Sequence, residues 1–518
     1  MARPRGRSRI GRWARPLLGL LALSGVEAPY ASAAEVAAGT VHVSTLRLDL
    51  EFSLDGAAPI AWRACHASCA EADLGSGTSV RFVGRQEPSP IRLILQDHGS
   101  PLDLQRLRFT AEVTEDARAR MVTFQTELPV DGLRVAKSFE ISKEGYEVVM
   151  TVRLLEANGP ASAAGRHLVL ELDAGRGLTA APAAGVAAML ERVGRVRVTE
   201  GTARDLDEGR RAAAPLGAGE WAGVRNRFWA LLVRPDGAGA LERPSDPRIT
   251  LRSEGPSWRY TFFSGPVESL ALAHADPALK GLLFSGLWSP LRALSFALLS
   301  LLRGLSAVVP HPGVAIIALA FSVRILLLPL TILAERLQEQ VDATRTRLQP
   351  GIDAIRASHR GEEQARRTWA LYRAEGVHPL YTLKSLLGVA IQLPVFIAVF
   401  DMLAEDFDLY RASFLWIADL SQPDALLPLP LCVPFFGCHV NLLPFLMSAI
   451  SLTALLRFRS PVLAPSLERR QRRTLMGITL AFFLLFYTFP AGMVLYWTST
   501  NAFQLVKQEL MRPRRERV

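Results

Sequence analysis

Four cysteines in 518 residues are too few to build a disulfide scaffold. The chain contains no GxxxxGK[ST], no HExxH and no GxSxG. The signatures of P-loop nucleotide hydrolysis, zinc proteolysis and nucleophile-elbow hydrolysis are therefore missing. No long apolar run occurs before about residue 280, yet 49% of the residues are apolar and the mean hydropathy is +0.19. The apolar residues concentrate in the second half, which divides the chain into a water-facing part and a membrane part. A net charge of +10 does not require nucleic acid. A membrane protein that keeps Lys and Arg on its cytoplasmic side reaches the same total.

Residues 1–15 carry six arginines and no acid. A short apolar stretch, Leu17 to Val26, and Ala31-Ser32-Ala33 follow. A basic segment, an apolar segment and an A-x-A site in that order predict a signal peptide over 1–33, cleaved near Ala33. Ten apolar residues rise only about 15 Å as a helix, half of a bilayer core. Residues 35–275 are then exported. Leu46, Leu48, Leu50, Phe52 and Leu54 alternate with polar residues, the period of a half-buried strand. Further strands are expected at 107–114, 120–127, 134–141, 146–154, 167–173, 227–234 and 257–263, giving an antiparallel β-sandwich. Within Cys65-His66-Ala67-Ser68-Cys69, either a small-loop disulfide or a three-ligand metal site is open, and an oxidising compartment favours the disulfide.

The segment 276–310 is apolar but interrupted by Arg292 and Arg303, and reads as an amphipathic helix in the membrane interface, anchored by Trp288 and Phe296. Five spans are expected at about 312–334, 386–403, 440–456, 474–489 and 492–508. Residues 474–506 hold no charge, and Pro490-Ala491-Gly492 divides them. The loop 335–385 carries nine Lys or Arg and seven acids, and residues 457–473 six arginines against Glu468. The tail, 512–518, is basic, whereas 404–439 has Arg411 against five acids. Positive loops stay inside, so 335–385, 457–473 and the C-terminus are assigned to the cytoplasm and 404–439 to the outside. Cys65, Cys69, Cys432 and Cys438 all fall on that outer side, as candidate disulfide partners. The loop 335–385 reads as a helical hairpin: one helix to about Ser358, disturbed near Pro350-Gly351, a turn near 359–361, and a second helix to about Ala374.

Arg324 lies near the middle of the first span. A charge at mid-bilayer costs about 2.5–3.5 kcal/mol on insertion scales, and a guanidinium cannot shed its proton to escape the cost. The spans are expected to hold no acid that could pair with Arg324. It could snorkel to the interface or cap backbone carbonyls inside the bundle, but a place facing a water-filled cavity is favoured. Ser322, Thr331, Gln392, Ser448, Ser451, Thr453, Ser499, Thr500, Asn501 and Gln504 could line it. Gln392 and Asn501 are the costliest of these to leave unpaired.

Several segments resemble YidC-type membrane protein insertases of the YidC/Oxa/Alb superfamily. They are Gly313 to Thr331 around Ser322-Val323-Arg324, Leu348-Gln349-Pro350, Leu371-Tyr372 with Gly376 to Leu380, Ile391 to Phe396, Phe414 to Leu420, and Phe489 to Trp497 with Asn501. Trp221 to Ala230 and Phe262 to Pro266 resemble the family's first periplasmic domain more loosely. The resemblance implies a multi-domain chain: a periplasmic supersandwich-like β domain over 35–275, then a five-helix transmembrane core over 311–511 with a cytoplasmic hairpin. It implies a hydrophilic groove in which Arg324 is the groove arginine and Trp497 the aromatic of the last span. The chain departs from the family at Tyr381 to Ser385, where small residues are usual, and in its signal-like N-terminus.

The expected function is insertion and folding of bacterial inner-membrane proteins, without enzymatic activity, metal or cofactor. The expected partners are nascent membrane proteins and the lipid bilayer, with the ribosome and the Sec translocon as further candidates and no direct contact with nucleic acid. The competing expectations are a secondary transporter holding a small anion at Arg324 and a carbohydrate-active enzyme in the exported sandwich. The sequence shows neither inverted repeats nor a convergent His and acid set for these.

Overall fold

The computed structural model describes residues 35–510 except 38, 70–78, 84–88, 98, 129–132, 157–158, 161–165, 173–177, 179–188, 207–213, 238, 243–248, 255–256, 379, 435 and 458–464. The signal peptide expected at 1–33 and the tail 512–518 lie outside the described residues.

The N-terminal half folds into three antiparallel sheets. The first has five strands in chain order, 35–37, 40–44, 48–53, 58–65 and 79–83. The longest runs 202–205, 194–199, 221–225, 229–235, 257–266, 147–156, 134–142, 119–127 and 110–115 from edge to edge. The third runs 214–216, 239–242, 249–254, 166–172, 91–97 and 100–103. Alternation works as expected at 134–142, where Val135, Lys137, Phe139 and Ile141 turn inward and their neighbours outward. Phe52 of the first sheet packs on Phe139 (centroids 4.7 Å) and Phe124 (5.7 Å) of the long sheet. Trp62 lies against Phe262 at 6.0 Å and donates its indole N–H to Ser264 Oγ at 3.0 Å. In 229–235 only Arg234 is not fully buried. Both faces of that strand are covered, so its sequence is a continuous apolar run rather than an alternation.

The C-terminal half is helical: α1 (Ser269–Ala275), α2 (Ser289–Val308), α3 (Pro312–Ser358), α4 (Gly361–Ala374), α5 (Leu387–Glu405), α6 (Leu442–Arg457), α7 (Pro465–Phe486) and α8 (Ala491–Leu510). The first expected span and the first arm of the hairpin are one unbroken helix, α3, which runs through Pro329 and Pro350. The disturbance expected at Pro350-Gly351 does not break it. The glycine serves packing instead, because a Cβ on Gly351 would lie 2.9 Å from the Leu371 side chain on α4. α7 begins nine residues before the expected span and carries Arg469, Arg470, Arg472 and Arg473 as helix. By length and composition, α2, the apolar part of α3 and Tyr381–Glu405 are long and apolar enough to cross a membrane, and Leu442–Arg457 is a shorter apolar helix.

α2 was expected to lie along an interface rather than cross it. Its inward face is a single stripe, Leu291, Ser295, Leu298, Leu299 and Leu302. Its two arginines both turn back toward the β-rich half. Arg292 donates to the carbonyls of Leu283 (3.1 Å) and Lys280 (3.0 Å), and Arg303 lies 3.7 Å from Glu268. One end of α2 is thus held to the segment just before it and the other to Glu268 at the end of the β-rich domain.

A lysine sits inside the sandwich. Lys137 is fully buried, donates to the Gly56 carbonyl at 2.6 Å and lies 4.8 Å over the Phe109 ring. Burial pulls its ammonium down to about 7, against a weaker opposing pull from Asp103. Between this value and the ordinary one near 10.5 the unfolded chain binds the extra proton, so stability must rise with pH across that window. The melting temperature of the β-rich half, followed by sheet circular dichroism, is expected to climb from pH 7 to pH 10. In Lys137→Met that slope is expected to vanish; an unchanged slope would assign it to other groups.

Candidate functional site: a charged position inside the helical bundle

Arg324 is twelve residues into α3, about 18 Å along the helix axis. Its side chain is half-buried, and its Nε is sealed from solvent with no hydrogen-bond partner. The titratable groups that act on it are Tyr496 of α8 and Glu335 one helix segment further along α3. One acid, Asp401, does lie within the second expected span, contrary to the expectation that the spans hold none. It sits near the C-terminal end of α5, and the charged groups felt there are Glu405 and Arg225, not Arg324.

Two expected site residues of α8, Trp497 and Asn501, are four residues apart and share one side of the helix, yet they meet different neighbours. Trp497, half-buried, joins an aromatic cluster with Phe396 (5.1 Å) and Phe400 (6.3 Å) of α5 and Phe482 (5.6 Å) and Phe486 (5.8 Å) of α7. Asn501 donates its Nδ2 to Ser451 Oγ of α6 at 2.9 Å. Phe503 of the same helix packs against Phe321 of α3 at 5.1 Å, near Arg324 in sequence. No hydrogen bond links Arg324 to Gln392, Trp497 or Asn501 among the described residues. Thr331 and Ser451 return their hydroxyls to the carbonyls four residues back, at 2.9 Å each. Thr453 and Ser499 do the same at 2.7 and 2.8 Å. Ser322 and Gln392 are half-buried, and the Ser448 hydroxyl is sealed without a partner. Sequence reading missed Tyr496 and the aromatic cluster. The i, i+4 spacing of Phe396 and Phe400, and of Phe482 and Phe486, was the available signal.

Both ends of the bundle are tied. Lys507 of α8 meets both Glu335 carboxylate oxygens at 2.8 and 2.9 Å, and Arg457 meets Glu509 at 3.1 Å. At the other end the backbone N–H groups of Ala491 and Gly492 donate to the carbonyls of Gln422 (2.7 Å) and Leu420 (2.8 Å). The glycine permits this approach, because a Cβ there would lie 3.1 Å from the Leu420 carbonyl oxygen.

The bundle is joined to the β-rich half through Arg227, which is buried and donates to the carbonyls of Ala404 and, at 2.8 Å, Ser421. Burial lowers its guanidinium to about 10, still charged at neutral pH, with Glu191, Asp419, Glu405 and Asp406 opposing the shift. Phe407 inserts beside His66 (4.5 Å) and Trp229 (5.3 Å). Next to it, burial and then the Asp408 charge push the Asp406 carboxyl up to about 7.

Among the described residues no group of three or more His, Cys, Asp and Glu is placed to hold a metal ion. Cys65 is joined to Cys69 and Cys432 to Cys438, so the metal alternative at 65–69 has lost its thiol ligands. His66 instead lies 3.2 Å from Glu268.

Residues 304–517 match the family described as 60Kd inner membrane protein. The chain is 26% identical over 421 residues to a membrane protein insertase YidC of Syntrophobacter fumaroxidans, covering 76% of this chain and 71% of that one. It is 26% identical over 318 residues to the YidC of Chloroherpeton thalassium, covering 57% of this chain and 52% of that one. It thus spans about half the length of the latter relative. A crystal structure of an active YidC insertase with its first transmembrane domain resolved is 18% identical, covers 92% of this chain and 93% of that one, and gives a TM-score of 0.35.

The two expected lining residues on α8 differ in what their loss should do. Trp497→Ala removes the centre of an aromatic cluster and is expected to destabilise the bundle by about 3 kcal/mol, as large-to-small aromatic changes do. Asn501→Ala removes one interhelical hydrogen bond, worth about 0.6 kcal/mol in a membrane protein. Thermal unfolding in detergent micelles should order them so; equal shifts would contradict the packing described.

Proposed function

For a chain whose residues 304–517 belong to the family of YidC-type membrane protein insertases, we propose that it inserts inner-membrane proteins and helps them fold, through a hydrophilic groove around Arg324. The single observation that carries this reading is the Arg324 guanidinium, deep along an apolar helix with its Nε sealed and unpartnered. An ion so placed is tolerable only where water or a visiting polar segment can solvate its remaining N–H groups. In this reading Ser322, Thr331, Gln392, Trp497 and Asn501 line the groove. The Lys507–Glu335 pair marks the cytoplasmic end, and the β-rich half is periplasmic.

A nascent membrane protein offers a short hydrophilic segment to the groove, and the charge and polar lining lower the cost of carrying that segment part-way across. The substrate's apolar helix then moves sideways into lipid, where burial at about 25 cal/mol per Å² drives the step. The membrane potential adds about 2.3 kcal/mol per charge per 100 mV. No nucleotide chemistry is needed. The protein works alone or beside the Sec translocon. The hairpin formed by the end of α3 and α4, closed by Arg347 and Glu375 at 3.5 Å, is the surface offered to the ribosome. α2 lies in the outer interface, because both its arginines are held on the side of the β-rich half.

The experiment is complementation in depleted cells with single-span substrates. Arg324→Ala is expected to slow insertion about tenfold, the rate equivalent of 1.4 kcal/mol, and Arg324→Lys to retain much of it. Undiminished insertion of every substrate by Arg324→Ala would remove Arg324 from the mechanism. Saturable anion uptake by the purified protein in liposomes would replace this reading with that of a transporter.

A further inference from the structure

We propose that the hairpin between α5 and α6, residues 427–440, is a disulfide-clamped wedge that lies in the bilayer interface against phospholipid. Strand 427–433 pairs antiparallel with 437–440, and the Cys432–Cys438 bond closes it. Its seven-residue arm is about 20 Å long at the rise of a strand. From Ala425 to Leu456 the chain carries no Lys, Arg, Asp or Glu, so the hairpin and α6 up to its last residue are one such run.

The arm is turned out of the protein. Leu431 is 77% exposed and Leu427 57%, with Val433 at 42%. A contiguous apolar surface of this kind marks an interaction site rather than a water-facing loop. The exposed face continues onto α6 through Leu442, Phe445 and Leu446, side chains that face hydrocarbon in a membrane-spanning bundle. This continuity points to lipid as the occupant.

The base of the hairpin is fixed to the bundle. Asp424 accepts the N–H groups of Leu442 (2.8 Å) and Leu443 (2.9 Å) at the start of α6, and the Trp416 indole at 3.1 Å. Asn441 accepts from the Ala425 N–H at 3.0 Å and donates to the Tyr487 carbonyl at 2.7 Å. The arm therefore emerges at the end of α6, next to the exposed pair Leu415 and Trp416.

Backbone chemistry sets the depth. A two-stranded ribbon leaves outer edges unpaired, which forbids it the hydrocarbon centre. Pro428, Pro430 and Pro434 remove three N–H donors from the chain that would otherwise need partners. The ribbon fits the headgroup and upper acyl region, where its apolar side chains enter lipid and its carbonyls reach water.

The inference rests on α6 and α7 crossing a bilayer, and the test separates the two claims. The full chain, carrying an environment-sensitive fluorescent amino acid at position 431, is reconstituted into vesicles of phosphatidylethanolamine and phosphatidylglycerol. Quenching is measured with lipids bearing a doxyl group near the headgroup, with lipids bearing it deep in the acyl chain for the Leu326 reference, and with aqueous iodide. The same probe at Leu326, an exposed residue of α3, gives the lipid reference; at Arg204, in the β-rich half, it gives the water reference. The expected result is several-fold stronger quenching by the doxyl lipid than by iodide at 431, and the same at 427 in a second variant. Quenching by iodide alone would overturn the proposal and place the arm in water. Shielding from both quenchers would overturn it in favour of a protein partner or a second copy. Loss of doxyl quenching at Leu326 would instead overturn the membrane-spanning premise, and this inference with it.

Discussion

A guanidinium on an apolar helix is a charge that cannot be titrated away, and the arrangement around α3 follows from that constraint. A carboxylate could go neutral and a lysine could lose its proton, but an arginine must find solvent or a partner. Among the described residues no carboxylate is paired with Arg324. Its nearest acid on α3, Glu335, is bound to Lys507. Asp401, the acid inside the second expected span, feels the attraction of Arg225 and the repulsion of Glu405 at the other end of the bundle. Neither acid is paired with Arg324, and among the described residues that charge is left without a carboxylate partner.

The same logic with the opposite outcome governs Arg227 at the junction of the two halves. This arginine is also buried, but carbonyls from two separate segments, Ala404 and Ser421, accept its protons, and four acids surround it. A charge satisfied in this way works as a fastener. Removing it would leave carbonyls and acids buried without a donor, a larger loss than the pair's own net worth. Phe407, seated between His66 and Trp229, adds an apolar contact to the same seam. Each arginine keeps one sealed nitrogen without a partner, but Arg227 is held by two protein carbonyls, whereas Arg324 shows no hydrogen bond to protein among the described residues.

Much of this was legible in the residues, and the failures have physical causes. The alternating strands could be read because one face is wet, as at 134–142. Strands such as 221–225 could not, because four of their five residues are buried and both faces look alike. The short strands 79–83 and 239–242 depend on partners whose positions no local pattern encodes. In α3, Pro350-Gly351 carries the composition of a helix break, yet the chain stays helical because Gly351 is where Leu371 must approach. Arg324 stood out as a lone charge in an apolar run. Tyr496 beside it did not, since an aromatic in a span has no distinguishing pattern. Arg227 was invisible for a different reason: its acceptors lie 177 and 194 residues away.

The polar residues of the helical half sort by where their hydrogen bonds go. Thr331, Ser451, Thr453 and Ser499 return their protons to their own helices and cost the bundle little. Asn501 spends its amide on Ser451 and holds two helices together. None of these needs an outside partner. Arg324 retains donors that its own helix cannot absorb, since an α-helix has no spare acceptors in its middle turns. A polypeptide segment that brings carbonyls or carboxylates to this position gains bonds there that lipid cannot offer. In the function proposed above, once that segment has passed, the apolar residues that follow are better solvated by acyl chains than by the bundle. Insertion on these terms needs a charge that is strong enough to receive a polar segment and too poorly enclosed to retain it.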